Sequence, residues 1–172
     1  LRSVDYGVSW SPVLLPTTNS FNHIAVFGPS TLETNLSAIV VGDSGTCYGS
    51  VNMQDWFPIT VPTTENLLSI EFNGNNVICA GTNGIILKSI NNGYDWIVSA
   101  SGITTMIYDM KFVTSTTVVA TSENGVLVRS EDAGDNWTII TTPTTADLFA
   151  VNFGSNSFGM STGSEGSKIY TL

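Results

Sequence analysis

The stretch Ser130-Glu131-Asp132-Ala133-Gly134-Asp135-Asn136-Trp137 decides the fold, because three other parts of the chain repeat its pattern. In such a turn an Asp or Asn side chain can accept backbone N–H bonds, a Gly can take a positive φ, and a Trp can pack onto a sheet. We therefore expect a structural role for these residues. We call the four copies the first to fourth Trp turns: Ser3-Val4-Asp5-Tyr6-Gly7-Val8-Ser9-Trp10, the shorter Ser50-Val51-Asn52-Met53-Gln54-Asp55-Trp56, Ser89-Ile90-Asn91-Asn92-Gly93-Tyr94-Asp95-Trp96, and the stretch above.

The spacing of the Trp turns indicates a repeat protein. The Trp residues are separated by 46, 40 and 41 positions, and a separate series of Phe residues keeps nearly the same step (Phe27, Phe72, Phe112, Phe153). Within each unit, an alternating strand ending in Phe precedes a β-branched run. A Gly-bearing turn such as Asn83-Gly84, a third strand, the Trp turn and a fourth strand follow. Four antiparallel strands per unit of about 41 residues are typical of a β-propeller blade.

The sequence thus predicts an all-β fold, a small propeller of four blades with four antiparallel strands each. We place the blades at 17–62, 63–102, 103–145, and 146–172 plus 1–16, with the ring closed by the N-terminal segment, from Gly7 to Leu15, pairing with the last blade. One conflict remains, since Leu1-Arg2-Ser3 and Ile169-Tyr170-Thr171 correspond to the same third strand. A displaced strand end could pair with another copy. The alternative is that the chain is part of a larger ring.

Charge excludes some partners. The formal net charge is −9, with only five Lys and Arg residues, and charged residues make up 11% of the chain. Five scattered cations cannot neutralise a nucleic-acid backbone or favour an anionic membrane surface. We also expect no membrane span, because no apolar stretch approaches 20 residues. A surface built from Ser, Thr, Asn and Gly favours an extracellular or periplasmic location, with a signal peptide already removed.

Cysteines and acceptor motifs add little about function. Cys47 and Cys79 are either two buried free thiols or one disulfide, the latter favoured outside the cell. With His23 as the only histidine, they match no zinc pattern, so we expect no metal and no cofactor. Asn35-Leu36-Ser37 and Asn136-Trp137-Thr138 match the N-glycosylation pattern, which is short and common by chance.

The sequence contains no clear catalytic set. Only Arg2 and Arg129 are present, whereas a sialidase needs three Arg to hold its substrate carboxylate. A glycosidase needs two carboxylates, for which Glu65, Glu71, Asp109 and Asp147 are the candidates on or near inner strands. His23 lacks the surroundings of a catalytic triad, and no phosphate loop is present. If a small ligand or ion binds, we expect it at the polar members of the inner strands: Ser69, Glu71, Asp109, Lys111 and Asn152.

The Trp turns resemble the Asp-box, or BNR repeat, with the pattern Ser-x-Asp-x-Gly-x-Thr-Trp. The stretch from Gly81 to Trp137 is similar to the photosystem II assembly factors with Asp-box propellers, and sialidases, sortilin-type receptors and some glucanases carry the same turn. The resemblance implies a sialidase-like propeller whose boxes lie at the periphery, away from any ligand face. It assigns no catalytic role to Asp5, Asn91 or Asp132.

These observations favour a non-catalytic, extracellular structural or interaction protein that self-assembles into a filament, tube or layer. Its partners would be further copies of itself, another protein or a glycan. The alternatives are a glycan- or protein-binding propeller module and, less favoured by the residues, a glycoside hydrolase. Self-assembly rests on the low charge, the missing catalytic set and the unmatched strand ends.

Overall fold

The computed structural model describes residues 1–27 and 36–171, so the predicted acceptor Asn35 lies outside the described residues. Fifteen β-strands make up the regular structure of these residues, together with four three-residue turns of 3-10 helix. None of the described helices is long or apolar enough to cross a membrane.

Three sheets have four antiparallel strands in simple meander order, and a fourth has three. The strands of the first sheet are β1 Phe21–Val26, β2 Ala38–Gly42, β3 Cys47–Ser50 and β4 Trp56–Pro58. The second contains β5 Leu67–Asn73, β6 Asn76–Gly81, β7 Ile85–Ser89 and β8 Ile97–Ala100. The third contains β9 Ile107–Phe112, β10 Val118–Ser122, β11 Val126–Ser130 and β12 Thr138–Thr141, and the last contains β13 Leu148–Phe153, β14 Gly159–Gly163 and β15 Lys168–Thr171.

The sheets follow one another as blades, numbered one to four in chain order. The inner strand of each blade packs beside that of the next, in the order β1, β5, β9 and β13. Among the described residues, two apolar clusters form the core. One lies between blades one and two and includes Ile39, Leu67 and Leu87. The other lies between blades two and three and includes Ile78, Met110 and Val128. The expectation of an all-β propeller built from four blades is therefore confirmed.

The Gly-bearing turns explain the meander. Asn83 and Gly84 both have positive φ, 54° and 67°, which is the backbone that a tight two-residue hairpin requires. A Cβ atom on Gly84 would lie 2.1 Å from the Ile103 carbonyl oxygen, so no larger residue fits there. The corresponding residues of the other blades are Ser44-Gly45, Asn124-Gly125 and Glu165-Gly166, all with positive φ.

The predicted closure of the ring is wrong. Among the described residues, β15 pairs only with β14, and residues 1–16 contribute no strand to the fourth blade. Instead Arg2 and Ser11 pair with each other through two backbone hydrogen bonds of 2.8 and 2.9 Å. The reason is that the N-terminal segment satisfies its own backbone through the pairing of Arg2 with Ser11 instead of pairing with β15. Within the described residues, β13 and β1 are not joined by a contact like those between successive inner strands.

Candidate functional site

The first, third and fourth Trp turns share one hydrogen-bond pattern. In the fourth, Ser130 Oγ accepts the Gly134 N–H at 2.8 Å, and Asp132 Oδ1 accepts the N–H groups of Asp135 and Asn136 at 3.0 and 2.8 Å. In the first turn, Ser3 Oγ accepts the Gly7 N–H and Asp5 Oδ1 accepts the Ser9 N–H. In the third turn, Ser89 Oγ accepts the Gly93 N–H and Asn91 Oδ1 accepts the Asp95 N–H. In the shorter second turn Asn52 Oδ1 accepts from Gln54 N and Asp55 N, while Ser50 Oγ accepts from Asn52 N.

These bonds change the acidity of the Asp residues. Hydrogen bonds from Ser9, through both its side chain and its backbone, and from Ser3 lower the pKa of Asp5 to about 2. Backbone and side-chain bonds from Asn136 lower the pKa of Asp132 even further. Each carboxylate is therefore held in its charged form as an acceptor for its own turn, which leaves it poorly suited to proton transfer.

The third and fourth Trp turns also hold neighbouring blades together. A Cβ on Gly134 would lie 2.7 Å from Ile78 Cδ1 of the preceding blade, and one on Gly93 would lie 2.2 Å from Ile39 Cδ1. Trp137 Nε1 donates to Ser99 Oγ at 2.9 Å, and Ser99 Oγ donates to the Gly134 carbonyl at 2.6 Å. A Trp turn thus packs against the outer half of the blade before its own.

Polar side chains of the inner strands are used for the same purpose. Three of them accept a backbone N–H from the inner strand of the next blade. The bonds are Ile70 N to His23 Nδ1 at 3.1 Å, Met110 N to Ser69 Oγ at 3.2 Å, and Val151 N to Asp109 Oδ2 at 3.0 Å. Ser69 Oγ also donates to Asp109 Oδ1 at 3.2 Å. The structure therefore gives Ser69, Asp109 and His23 contacts between blades.

The remaining predicted ligand residues are also engaged. Lys111 Nζ lies 2.6 Å from Glu71 Oε1, an ion pair in which the Glu71 side chain is 18% exposed. Asn152 Oδ1 accepts the N–H of Phe153 at 2.8 Å. The structure thus brings Ser69 together with Asp109, and Glu71 together with Lys111, between blades two and three. Asn152 instead bonds to its own neighbour in the fourth blade.

The other two carboxylate candidates support turns. Glu65 Oε2 accepts from Thr82 Oγ1 at 2.6 Å and from Asn83 Nδ2 at 2.9 Å, and these bonds lower the pKa of Glu65. Asp147 Oδ1 accepts the Asn124 N–H of the preceding blade at 3.0 Å. Both carboxylates therefore hold Gly-bearing turns in place.

Arginine, cysteine and metal chemistry are equally limited. Arg129 pairs with Glu131, and Arg2 donates to the side-chain oxygen of Gln54 when that amide is turned toward it. Cys47 and Cys79 are free and buried in the first core cluster, so they form no disulfide. Burial raises the pKa of Cys47 to about 12. Across residues 1–27 and 36–171, no three His, Cys, Asp or Glu side chains are grouped to hold a metal ion.

A cleft of about 230 Å³ lies between blades three and four. Blade three contributes Val119, Leu127 and Ile140, and blade four contributes Val151, Phe153 and Ile169 among others. Ser161 also lines the cleft, and its Oγ is buried without a hydrogen-bond partner among the described residues. The cleft ends beside β15, and no described strand pairs with the other edge of β15.

Sequence reasoning missed this cleft. It noticed that two segments correspond to one third strand, but it filled the outer position of the fourth blade with residues 1–16. The signal that could have revealed the cleft was the repeat step itself. The cleft lies where the turn that would follow β15 would pack, because Val119 and Ile140 correspond to Ile78 and Ser99 at a step of 41 residues.

Comparisons with known proteins identify the fold. No protein-family model and no curated protein matches the chain. YCF48 bound to D1 peptide superposes with a TM-score of 0.71 at 18% identity, covering 93% of this chain and 52% of that one. The chain therefore spans about half the length of that structure. YCF48 from Cyanidioschyzon merolae gives a TM-score of 0.52 at 18% identity, with 99% and 75% of the two chains covered.

An enzyme shares the architecture as well. An ancestral GH74 enzyme superposes with a TM-score of 0.65 at 20% identity, covering 86% of this chain and 22% of that one. Because all three identities are low, the likeness concerns the fold, and one fold hosts many functions. By its fold, this chain is a β-propeller similar to those of YCF48 and the GH74 enzyme.

Proposed function

We propose that this chain is a non-catalytic protein-binding module that takes an extended segment of a partner onto the open edge of its fourth blade. The observation that carries the proposal is that β15 has β14 on one side and no strand on the other within the described residues. An unpaired strand edge presents free N–H and C=O groups and pairs readily with an added strand.

The repeat identifies which backbone groups of β15 face outward. In the first blade the Cys47 carbonyl accepts the Ile59 N–H at 2.9 Å, and Arg2 exchanges two hydrogen bonds with Ser11. Lys168 and Tyr170 hold the corresponding positions in β15. Their backbone N–H and C=O groups therefore point away from β14, toward the position of an added strand.

The neighbouring cleft would supply selectivity. In strand addition the backbone bonds give affinity, and pockets that receive alternate side chains give specificity. The cleft beside β15 is lined mainly by apolar side chains, including Ile140, Ile169 and Met160. It would favour a segment that carries a large apolar or aromatic residue, and a polar group near that residue could bond to the buried Ser161 Oγ.

The non-catalytic part of the proposal follows from the carboxylates. Glu71 is neutralised by Lys111, and Asp109 accepts hydrogen bonds from Ser69 and Val151. A glycosidase needs one carboxylic acid and one carboxylate that are both free to reach the sugar. The fold neighbour YCF48 bound to a D1 peptide supports a protein partner for this architecture.

An extracellular or periplasmic location remains part of the proposal. Its support is the surface composition, with charged residues at 11% of the chain. Because Cys47 and Cys79 are free and buried, they give no separate support for an oxidising compartment.

Strand addition can be tested with a random 12-residue peptide library displayed on phage. The library is selected on the unaltered protein, and the enriched peptides are then tested for binding to Lys168→Ala and Lys168→Pro protein. Proline removes one outward N–H and is tolerated on an edge strand, and the preceding Ser167 already has φ −61° and ψ 132°, which suit a residue before proline. Lys168→Ala is the matched control, because it removes the same side chain and keeps the N–H.

We expect enriched peptides to bind Lys168→Ala like the unaltered chain and to bind Lys168→Pro at least about fivefold more weakly, since a lost hydrogen bond to a buried strand costs about 1–3 kcal/mol. Equal binding to both variants would contradict the proposal. So would hydrolysis of chromogenic glycosides that is lost in Glu71→Gln.

A further inference from the structure

We propose that the junction between blades one and two is sensitive to pH and loosens when the imidazole ring of His23 becomes protonated. Histidine is the side chain that ordinarily changes its charge between pH 5 and pH 8, at about pH 6.5. His23 is the only histidine in the chain, so a response in this range can be traced to one ring. The inference goes beyond the proposed function and does not depend on it.

The inner strand of blade two takes hydrogen-bond acceptors from the blade before it. β5 lies at the edge of its sheet, with β6 on one side, so its outward N–H groups need partners from elsewhere. Ile70 is 1% exposed, which keeps water from serving as that partner. His23 Nδ1 accepts the Ile70 N–H at 3.1 Å. Since a neutral imidazole has one acceptor nitrogen and one N–H, the ring of His23 carries its proton on Nε2.

Protonation removes this acceptor. An imidazolium ring has an N–H on both nitrogens, so Nδ1 of His23 would direct a donor at the Ile70 N–H. Two donors form no hydrogen bond, and the buried N–H is left unpaired. His23 is only partly buried, so water can reach the charged ring. The stability that this bond contributes is therefore present while the ring is neutral and is lost as the pH falls and the ring gains its second proton.

The next two blades hold different acceptors at the position of His23. Ser69 Oγ accepts the Met110 N–H at 3.2 Å. Asp109 Oδ2 accepts the Val151 N–H at 3.0 Å. A serine hydroxyl keeps its proton throughout this range, and aspartate ordinarily titrates near pH 4. Of the three junctions in the part of the chain that the structure describes, the first is therefore the one that we expect to respond near neutral pH.

Other titratable groups around this junction do not change charge in the same range. β1 packs against β2 and β5. Glu71 of β5 is paired with a lysine of blade three, and Asp43, directly after β2, accepts a hydrogen bond from the Asn22 side chain at 2.9 Å. Carboxylates ordinarily titrate near pH 4. Cys47 and Cys79 lie in the core cluster of this junction, and burial raises the pKa of both thiols, so they stay neutral below pH 8.

A looser junction would affect the packing of the first blade rather than its strands. The core cluster between blades one and two includes Ile39, Leu67 and Leu87, all fully buried. The strand ladders within each blade use backbone acceptors, which do not titrate. We therefore expect acid to weaken the contact between these two blades while both sheets stay formed. Histidines at interfaces act as pH sensors in the same way.

Amide hydrogen exchange followed by NMR between pH 5 and pH 8 tests the proposal. The Met110 amide is the internal reference, because its acceptor Ser69 does not titrate and the pH changes unprotected exchange of both amides alike. We expect the exchange rate of Ile70 relative to Met110 to rise at least about fivefold as the pH falls, the effect of losing one buried hydrogen bond. The imidazole nitrogen shifts should show a neutral ring protonated on Nε2 at pH 8, and its second proton should appear as the relative rate rises.

Variants of His23 separate the ring from the rest of the junction. His23→Ser is the matched control, because it copies Ser69 and supplies an acceptor that does not titrate, so its relative rate should stay constant. His23→Asp copies Asp109 and takes the place of the serine variant if circular dichroism shows that variant to be unfolded. His23→Leu removes the acceptor, so Ile70 should exchange rapidly at every pH in this range.

A relative rate that stays constant in the unaltered protein between pH 5 and pH 8 would overturn the inference. A pH-dependent rate that survives in His23→Ser would also overturn it, as would a neutral ring that carries its proton on Nδ1. Failure here is distinct from failure of the proposed function, because peptide binding at β15 is measured separately and does not involve His23.

Discussion

At the residue scale, side chains of the same type have different roles according to which N–H and O–H groups donate hydrogen bonds to them. Asp5 and Asp132 accept bonds within their turns, while Asn91 does the same work in the third turn without a charge. Asp109 accepts a bond from the next blade. The sequence predicted structural Trp turns from their pattern. It could not show that Asp109 was engaged, because its partner Val151 is 42 residues away.

The Asp residues predict how the turns respond to acid. The pKa of Asp5 is about 2 in the folded chain and near 3.8 when unfolded, so the stability it contributes is present above pH 4 and lost as the pH falls toward 2. Asp132 acts in the same direction. We expect the melting temperature to fall across this interval, as measured by circular dichroism.

The matched variant for this prediction is Asp5→Asn with Asp132→Asn, which copies the neutral acceptor of the third turn. It should keep its melting temperature at pH 6 within a few degrees and show a smaller fall between pH 4 and pH 2. If both proteins lose stability in parallel, carboxylates elsewhere in the chain are responsible.

At the scale of elements, the blade is the unit that the sequence predicted well, and the junction between blades is what it could not predict. Alternation and Gly-bearing turns are local signals, so three four-stranded sheets follow from them. The packing of a Trp turn on the preceding blade depends on residues about 55 positions apart, such as Ile78 and Gly134. No local pattern encodes that contact.

Replacing two equivalent glycines measures the junction. Gly134 and Gly7 have φ values of 90° and 84°, so a Cβ strains the backbone similarly in both. Only Gly134→Ala also forces a methyl group against Ile78. In dilute protein we expect Gly134→Ala to lower the free energy of unfolding by about 1–3 kcal/mol more than Gly7→Ala, the cost of overpacking a core.

Urea denaturation of both variants gives this difference. Equal losses at the two glycines would show that the turn does not stabilise the junction between blades two and three.

At the scale of the whole molecule, the four blades form as expected, but among the described residues the last blade contains three strands and residues 1–16 do not pair with it. The sequence showed the conflict between Leu1-Arg2-Ser3 and Ile169-Tyr170-Thr171, but not its outcome. That outcome depends on whether the N-terminal segment can reach β15 in three dimensions, and the sequence does not show the distance between them. The residues about β15 and the adjoining cleft are therefore where we place function, rather than the inner strands.

Amide hydrogen exchange at Lys168 and Tyr170 tests the open edge most directly. It is best measured by NMR on dilute, unaltered protein. The reference amide is that of Arg129, which holds the same position in blade three and lies between β10 and β12. We predict that Lys168 and Tyr170 exchange at least a hundredfold faster than Arg129 and become protected when a selected peptide is added. Protection equal to that of Arg129 in the protein without peptide would contradict the account, because it would mean that β15 is already paired.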